Sequence, residues 1–291
     1  MTMKKIKKAI LPVAGFGTRF LPATKNQPKE MFPVVDKPVI QYLVEEAVAS
    51  GIEEIVFVIS RGKESIEGHF DAHNELEQVL KNKGKDDFLK EIRDITNLAK
   101  FSYVRQAEPL GDGHAVLQAR HIIGNEPVLV LFGDCIYDSK VPAGKQLIDA
   151  FYKSGKTVIG TSVLESDEVS KFGVVEGDRD KNGDIIVSKF IEKPDPSKTD
   201  SRDVSVGKYV ITPEIFEILA DMKYGASGEI RLADAFELAI GRGIDLRAHT
   251  LEGVWLDTGD KFNFLKTTVH MALKHPEFGD KLRDYLGGLE L

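Results

Sequence analysis

The chain has 291 residues, 42% of them hydrophobic, enough to bury a substantial core as one large α/β domain or two closely joined lobes. A formal net charge of −7 argues against a general nucleic-acid binder, whose surface must attract phosphate backbones. No stretch approaches the ~18 apolar residues of a membrane span, and the lone Cys135 cannot close an intramolecular disulfide, which suits a reducing cytoplasm.

In chain order, Lys4, Lys5, Lys7 and Lys8 resemble the basic start of a signal peptide, but Gly15 to Arg19 break the apolar run behind them too early. Ile6 to Val13 reads as a buried strand running into the turn Ala14-Gly15-Phe16-Gly17-Thr18-Arg19, with Lys25 and Lys29 close behind. Such a segment suits a polyphosphate. Glycines let backbone N–H groups approach phosphate oxygens, a guanidinium grips two oxygens at once, and lysines add compact charge. The G-x-G element by itself reads as a surface loop with ordinary solvated charges. Phe20 stands where the dinucleotide fingerprint needs its third glycine, so this is not a Rossmann turn. Nor is there a P-loop, because Gly155-Lys156-Thr157 has Ala150 in place of that motif's first glycine and reads as a turn entering a strand.

Val39, Ile40, Leu43, Val44, Ala47 and Val48 recur at helical spacing up to Gly51, and Ile55 to Ile59 is the next strand, completing a βαβ unit. Glu67 to Lys100 is charged and mostly helical in pattern. Phe101 to Arg105 and Val128 to Phe132 are further doubly covered strands. Between them a helix starts near Gly111-Asp112-Gly113, with Asp112 as its cap and Ala115, Val116, Ala119 and Ile122 as its apolar face. After about Gly155 strands predominate at Val158 to Leu164, Gly173 to Glu176, Ile185 to Glu192 and Val204 to Ile211, with Asn182-Gly183 a hairpin turn. Helices return at Glu214 to Leu219, Arg231 to Ile240 and Phe262 to Leu273, and the Gly287 to Leu291 end is expected to fray.

The alternation predicts an α/β fold with a Rossmann-like, mixed, mostly parallel central sheet, helices on both faces and a smaller β-rich region, its ligand loops at the carboxyl ends of the strands. Asp134 then ends a buried strand at the rim where ligands bind. It reads as a metal ligand or as the cap of the following turn. Asp257, in Trp255-Leu256-Asp257-Thr258-Gly259, reads as a second metal ligand or as the N-cap of the helix at Phe262. Glu192-Lys193-Pro194 closes another strand, a solvated pair unless a ligand sits there. Trp255 reads as core, and the stripe Phe262, Leu265, Val269 as core or subunit interface. His114 reads as structural.

The run from Leu11 to Pro33 resembles the signature of the sugar-nucleotide pyrophosphorylases, G-x-G-T-R followed by Pro and Pro-Lys. Its Pro-Ala-Thr-Lys and Pro-Lys-Glu-Met segments resemble the bacterial UTP–glucose-1-phosphate branch in particular. Later motifs recur in order: Gln106 with Pro109-Leu110-Gly111, Gly133-Asp134, Phe172-Gly173-Val174-Val175, Glu192-Lys193-Pro194 and Trp255 to Gly259. The resemblance implies one nucleotidyltransferase domain over 1–291, with a nucleotide-binding half at 1–154, a sugar-binding half at 155–260 and C-terminal helices at 261–291. It implies transfer of a uridylyl group from UTP to glucose-1-phosphate, giving UDP-glucose and pyrophosphate, with a homodimer or homotetramer as the assembly. Related thymidylyl- or other nucleotidyltransferases and a non-catalytic nucleotide-sugar sensor are the alternatives.

By the same resemblance, Ala14, Gly15, Gly17, Thr18, Glu30, Gln106 and Gly111 hold the nucleotide, Arg19 and Lys29 its phosphates, and Lys193 the sugar phosphate. Glu192, Gly173 and Gly207 serve the hexose. Asp134 and Asp257 would hold Mg²⁺, a hard cation that keeps water and phosphate oxygens beside two carboxylates. Many relatives carry a second acid after the first Asp; here it is Cys135, too soft for Mg²⁺. No D-x-D triad marks a glycosyltransferase that consumes a finished nucleotide sugar, and no general base is needed, since a sugar phosphate is already ionised.

Overall fold

The computed structural model describes residues 5–165, 167–223 and 228–289; Lys4, in the basic start, and residues 290–291 of the terminal segment lie outside them. Strand alternation divides the interior in two. Ile10, Val56, Val58, Val128 and Val130 point to one face of the sheet, against the helices Asp112–Gln118, Pro213–Asp221 and Leu232–Gly241. Their neighbours Ala9, Leu11, Ile55, Phe57, Leu129 and Leu131 point to the other, against Val39–Ala49 and Ala143–Ser154. Strands apolar at successive positions need cover on both faces, and these helices supply it.

The nine-stranded sheet runs in the order Lys100–Arg105, Glu54–Ile59, Lys8–Pro12, Val128–Leu131, Asp203–Ile211, Val158–Val163, Arg247–Thr250, Ile185–Glu192, Gly173–Arg179. The first four are mutually parallel. Asp203–Ile211 then pairs antiparallel on both sides, Arg247–Thr250 pairs parallel with Val158–Val163, and the last two pairings are antiparallel, so the sheet is mixed and not mostly parallel as expected. Parallel pairing is concentrated in the half that carries the first motif. A bridge from Val204 to Val174 returns the edge strand to the middle of the sheet, so the last five strands close on themselves.

Because the first four strands run the same way, the loops leaving their carboxyl ends gather at one rim. The chain leaves Lys8–Pro12 with Val13 N–H donating to Val58 O at 2.9 Å, and leaves Lys100–Arg105 with Gln106 N–H donating to Ile59 O at 2.8 Å. Val128–Leu131 stops short of Asp134, which sits in a turn. A second strand, Cys135–Asp138, then pairs antiparallel with Val254–Asp257 in a separate ribbon. Residues 64–96 form three helices, Glu64–Phe70, Asn74–Asn82 and Asp86–Thr96, as the charged helical pattern predicts. Gly155 is the left-handed cap of Ala143–Ser154, at φ 67°, a helix the sequence reading left out. Among the described residues, no helix is long and apolar enough to cross a membrane.

Candidate active site

A cleft of about 500 Å³ opens at the common rim, lined by Ala14, Gly15, Gly17, Thr18, Gln106 and Gly111. Lys29, Glu30 and Asp134 line it as well. Gly17 lies at φ 65°, where a Cβ would come within 3.2 Å of Thr24 Cγ2, and Thr24 Oγ1 donates to Gly17 O at 2.8 Å. The turn therefore needs its glycine for shape as much as for phosphate access. Gly111 is more demanding: at φ 104°, a Cβ would stand 2.4 Å from Ile230 O. Lys25, the other cation of the first motif, is exposed and outside the cleft wall.

Glu30 is 2% exposed, and its Oε2 lies 2.7 Å from Lys63 Nζ. The sequence reading gave Glu30 to the nucleotide and missed Lys63. One carboxylate oxygen is committed to this buried ion pair, which anchors the Lys29–Met31 turn to the start of the helix Glu64–Phe70. A lone lysine within Arg61-Gly62-Lys63-Glu64 carries no signal that could have found it.

The two metal-candidate carboxylates meet through the ribbon. Its register sets Asp257 opposite Cys135, and Thr258 N–H donates to Asp134 O at 2.8 Å. A Cβ built on Gly259 would lie 2.9 Å from Asp257 Oδ1 and 3.3 Å from Asp134 Oδ2, so both carboxylates crowd one point. The helix at Lys261–Leu273 is capped by Asp260, whose Oδ1 accepts from Phe262 N and Asn263 N at 2.9 Å. The alternative reading of Asp257 as that cap is thereby removed. Asp257 instead accepts from Gly259 N at 2.7 Å and Asn263 Nδ2 at 3.0 Å.

Lys29 Nζ donates to Asp134 Oδ2 at 2.6 Å. Burial is the largest single influence on each and opposes its charge, yet the facing partner and its charged neighbours together outweigh it: Lys29 is held above the ordinary lysine value and Asp134 below the ordinary carboxylate value. Asp257 shifts the other way, raised by burial, with the charge of Asp134 adding. Burial also lifts the Cys135 thiol well above its usual range, which keeps it neutral. The two carboxylates are hard oxygen donors, and no group of three or more His, Cys, Asp and Glu converges among the described residues. That set fits a cation that retains water and takes oxygens from its substrate.

A second cavity, about 170 Å³, shares Asp112, Phe132 and Asp134 with the first. Glu192, Lys193, Gly173 and Gly207 all border it, so the sequence-predicted sugar-side residues come together, and Arg19, expected on the nucleotide phosphates, borders this cavity rather than the first. Lys193 is a non-glycine residue at φ 48°, its N–H donating to Phe172 O at 3.0 Å, and its ammonium lies 3.4 Å from Glu192 Oε1. The two glycines have reasons inside the chain. A Cβ on Gly173 would meet the Phe190 ring at 2.4 Å, and one on Gly207, at φ 69°, would meet Phe132 Cβ at 3.0 Å and Cys135 Sγ at 3.2 Å.

Lys171 and Arg231 border the same cavity and were not singled out from the sequence; they pair with Glu168 and Asp234. Asp112 was read as the cap of its own helix. It lies in that helix's first turn, and its Oδ1 accepts from Leu232 N at 2.8 Å, satisfying the start of a different helix. Loss of hydration around the carboxyl pushes Asp112 up to about 6, with the charge of Glu192 adding, while the residue as a whole stays exposed at the cleft. Trp255 lies edge-on to Phe172, ring centres 4.8 Å apart, half-buried at the cavity. Phe262, Leu265 and Val269 are 69%, 62% and 42% exposed, which removes the core alternative for that stripe.

Residues 8–273 match the family model described as nucleotidyl transferase. The chain is 46% identical over 289 residues to UTP–glucose-1-phosphate uridylyltransferase 2 of Staphylococcus saprophyticus subsp. saprophyticus, covering 99% of this chain and 100% of the relative. It is 46% identical, over the same shares, to the UTP–glucose-1-phosphate uridylyltransferase of Staphylococcus epidermidis. Among solved structures, UTP-bound UGPase from Acinetobacter baumannii superposes with a TM-score of 0.90 at 36% identity, covering 98% of this chain and 100% of that one. A UDP-glucose pyrophosphorylase complexed with UDP-glucose superposes with a TM-score of 0.84 at 36% identity, covering 93% and 100%.

Proposed function

The chain belongs to the nucleotidyl transferase family, and from that premise we propose that it joins UTP to glucose-1-phosphate, giving UDP-glucose and pyrophosphate. The observation that carries the reading is the meeting of Arg19, Lys29, Asp134 and Asp257 where the two cavities join. A phosphate oxygen of the sugar phosphate forms a bond to the α-phosphorus of UTP while the bond from that phosphorus to the bridging oxygen breaks and pyrophosphate leaves. Two anions must be pressed together, so the protein's work is alignment and charge neutralisation. Arg19 and Lys29 hold the UTP phosphates, and Lys193 holds the incoming phosphate beside Glu192, which accepts from sugar hydroxyls. Gly173 and Gly207 border the hexose. No side chain need take a proton, because the attacking oxygen is already ionised.

Asp134 and Asp257 would hold Mg²⁺, which supplies charge stabilisation to phosphate oxygens when bound. Lys29 would then have two tasks, neutralising Asp134 before substrate arrives and contacting phosphate afterwards. The nucleotide lies in the cleft of Ala14, Gly15, Gly17, Thr18, Glu30, Gln106 and Gly111, within the 1–154 half. The 155–260 half takes the sugar. The exposed stripe Phe262, Leu265, Val269 on the C-terminal helices is the proposed contact of a homodimer or homotetramer, and the cytoplasm the compartment. The test is UDP-glucose formation from UTP, glucose-1-phosphate and Mg²⁺ by the purified chain and by Asp134→Asn. The wild type should turn over and the variant should lose Mg²⁺-dependent turnover while remaining folded; near-normal rates in the variant would remove Asp134 from the metal role.

A further inference from the structure

Gln106 is 6% exposed and lines the nucleotide cleft. Its Nε2 donates to Gly111 O at 2.9 Å and lies 3.1 Å from His114 Nδ1. A backbone carbonyl can only accept, so the amide's NH₂ must be on that side. The second N–H then points at His114 Nδ1, which must be the unprotonated nitrogen of the ring. That choice makes His114 Nε2 the N–H. It faces the Gln118 amide at 3.1 Å, and Gln118 must present its oxygen there, which sets that oxygen about 3.3 Å from His114 O in exchange for the ring's hydrogen bond. Burial holds the imidazole below the ordinary histidine value, against the raising pull of Glu108, so the ring is neutral at pH 7.

Among the described residues no donor reaches Gln106 Oε1, and that oxygen is not sealed inside the protein. It is therefore an acceptor turned to the cleft. Uracil offers an N–H at N3, whereas cytosine offers a bare acceptor at the same place. An amide with its oxygen outward accepts from the first and repels the second. Flipped, the same amide would present NH₂ to the base while setting its oxygen against Gly111 O, and the ring would have to move its proton from Nε2 to Nδ1 to meet it.

We infer that His114 is a positioning residue for base selection: by accepting the second N–H of Gln106 it locks the amide oxygen toward the base and so favours uracil over cytosine. This rests on the reading of the cleft as a UTP site and goes beyond it, since His114 touches no substrate. The selectivity is a difference between two bases, so loss of the lock should lower the preference more than the rate.

The test is kcat/KM for UTP and for CTP, with glucose-1-phosphate, in the full chain and three variants. His114→Leu should reduce the UTP-over-CTP ratio by about tenfold, the worth of roughly one hydrogen bond, mainly through KM for UTP. His114→Asn, whose amide oxygen can accept in place of Nδ1, should restore most of the ratio. Equal losses on both nucleotides, or an unchanged ratio in His114→Leu, overturns the inference. Gln106→Leu separates the two levels. A collapsed ratio there with an intact one in His114→Leu sinks only the role of His114, whereas an intact ratio in Gln106→Leu sinks base reading by Gln106 and the inference with it. Should His114→Leu fail to fold, the wild-type imidazole ¹⁵N shifts decide, assigned by their loss in His114→Asn. Nδ1 should be unprotonated and Nε2 protonated at pH 7, and the opposite tautomer overturns the proposal.

Discussion

Replacing Lys208 by methionine should be among the most damaging single changes outside the cleft. Lys208 is fully buried, and its ammonium lies 3.0 and 2.8 Å from the two oxygens of Glu46, itself only 9% exposed. The pair ties the strand Asp203–Ile211 to the helix Val39–Ala49, and Glu46 Oε1 also accepts from Gly144 N at 3.1 Å. At about 3 Å and an effective dielectric of ~20, the attraction is on the order of 5 kcal/mol. Methionine fills the stem's volume but leaves the carboxylate with one N–H donor, and breaking a buried pair from one side costs roughly 3 to 5 kcal/mol. With an unfolding entropy near 2 cal/mol/K per residue, 291 residues lose about 1.6 °C per kcal/mol, so Tm should fall by roughly 5 to 8 °C. Differential scanning fluorimetry and urea titration measure it. Adding Glu46→Gln removes the stranded charge while keeping an acceptor for Gly144, and the double variant should regain at least half the loss. A drop under about 1 kcal/mol in Lys208→Met, or a double variant no more stable than the single, would refute the reasoning.

Lys193→Ala should lower kcat/KM for glucose-1-phosphate more than for UTP, by roughly 2 to 4 kcal/mol if it contacts charge in the transition state; steady-state kinetics with each substrate varied will show the ordering. Gly173→Ala drives a methyl into the Phe190 ring, which is 4% exposed, and should cost about 1 to 3 kcal/mol of stability by urea titration. The same methyl crowds Glu192 Oε2 at 3.2 Å, so KM for the sugar phosphate should rise with it. Asp112 carries a carboxyl raised to about 6 in the folded chain, so the fold binds its proton more tightly than the unfolded chain does. Its contribution is fully present below the unfolded carboxyl value near ~4 and is lost as pH rises through the folded value. Asp112→Asn keeps the acceptor for Leu232 N–H without the charge; because the residue is exposed, solvent screens most of the effect, and its Tm should match wild type at pH 4 and exceed it only slightly at pH 7.5.

The strands that a local pattern could reveal were readable. Ile185–Glu192 has the bounds its alternation predicts, and Lys8–Pro12, Glu54–Ile59 and Val128–Leu131 fall within or beside the apolar runs. Apart from the twelve-residue helix Ala143–Ser154, the elements that escaped are short and held from a distance. Cys135–Asp138, Arg247–Thr250 and Val254–Asp257 have four residues each, and their partners lie far along the chain. Capping obeyed the same division. A polar residue before a helix can be found from sequence, but whether it serves that helix cannot: Asp112 caps across to Leu232, and Asp260 takes the role one reading had given to Asp257. The charged residues of the cleft stood out because they sit in ordered motifs. Lys63 and the His114 lock did not, since each acts through one neighbouring side chain and leaves no spacing to read.

The ribbon that pairs Cys135–Asp138 with Val254–Asp257 also sets when the protein becomes competent during synthesis. A nascent chain can build its first parallel strands and the nucleotide wall early, yet Asp134 has no second carboxylate beside it until the segment around Asp257 leaves the ribosome and docks. Truncation before Val254 would therefore yield a body with one of the two carboxylates proposed to hold the cation. A slip of one residue in the docking would turn Asp257 to the opposite face of the ribbon, with the same result in a full-length chain.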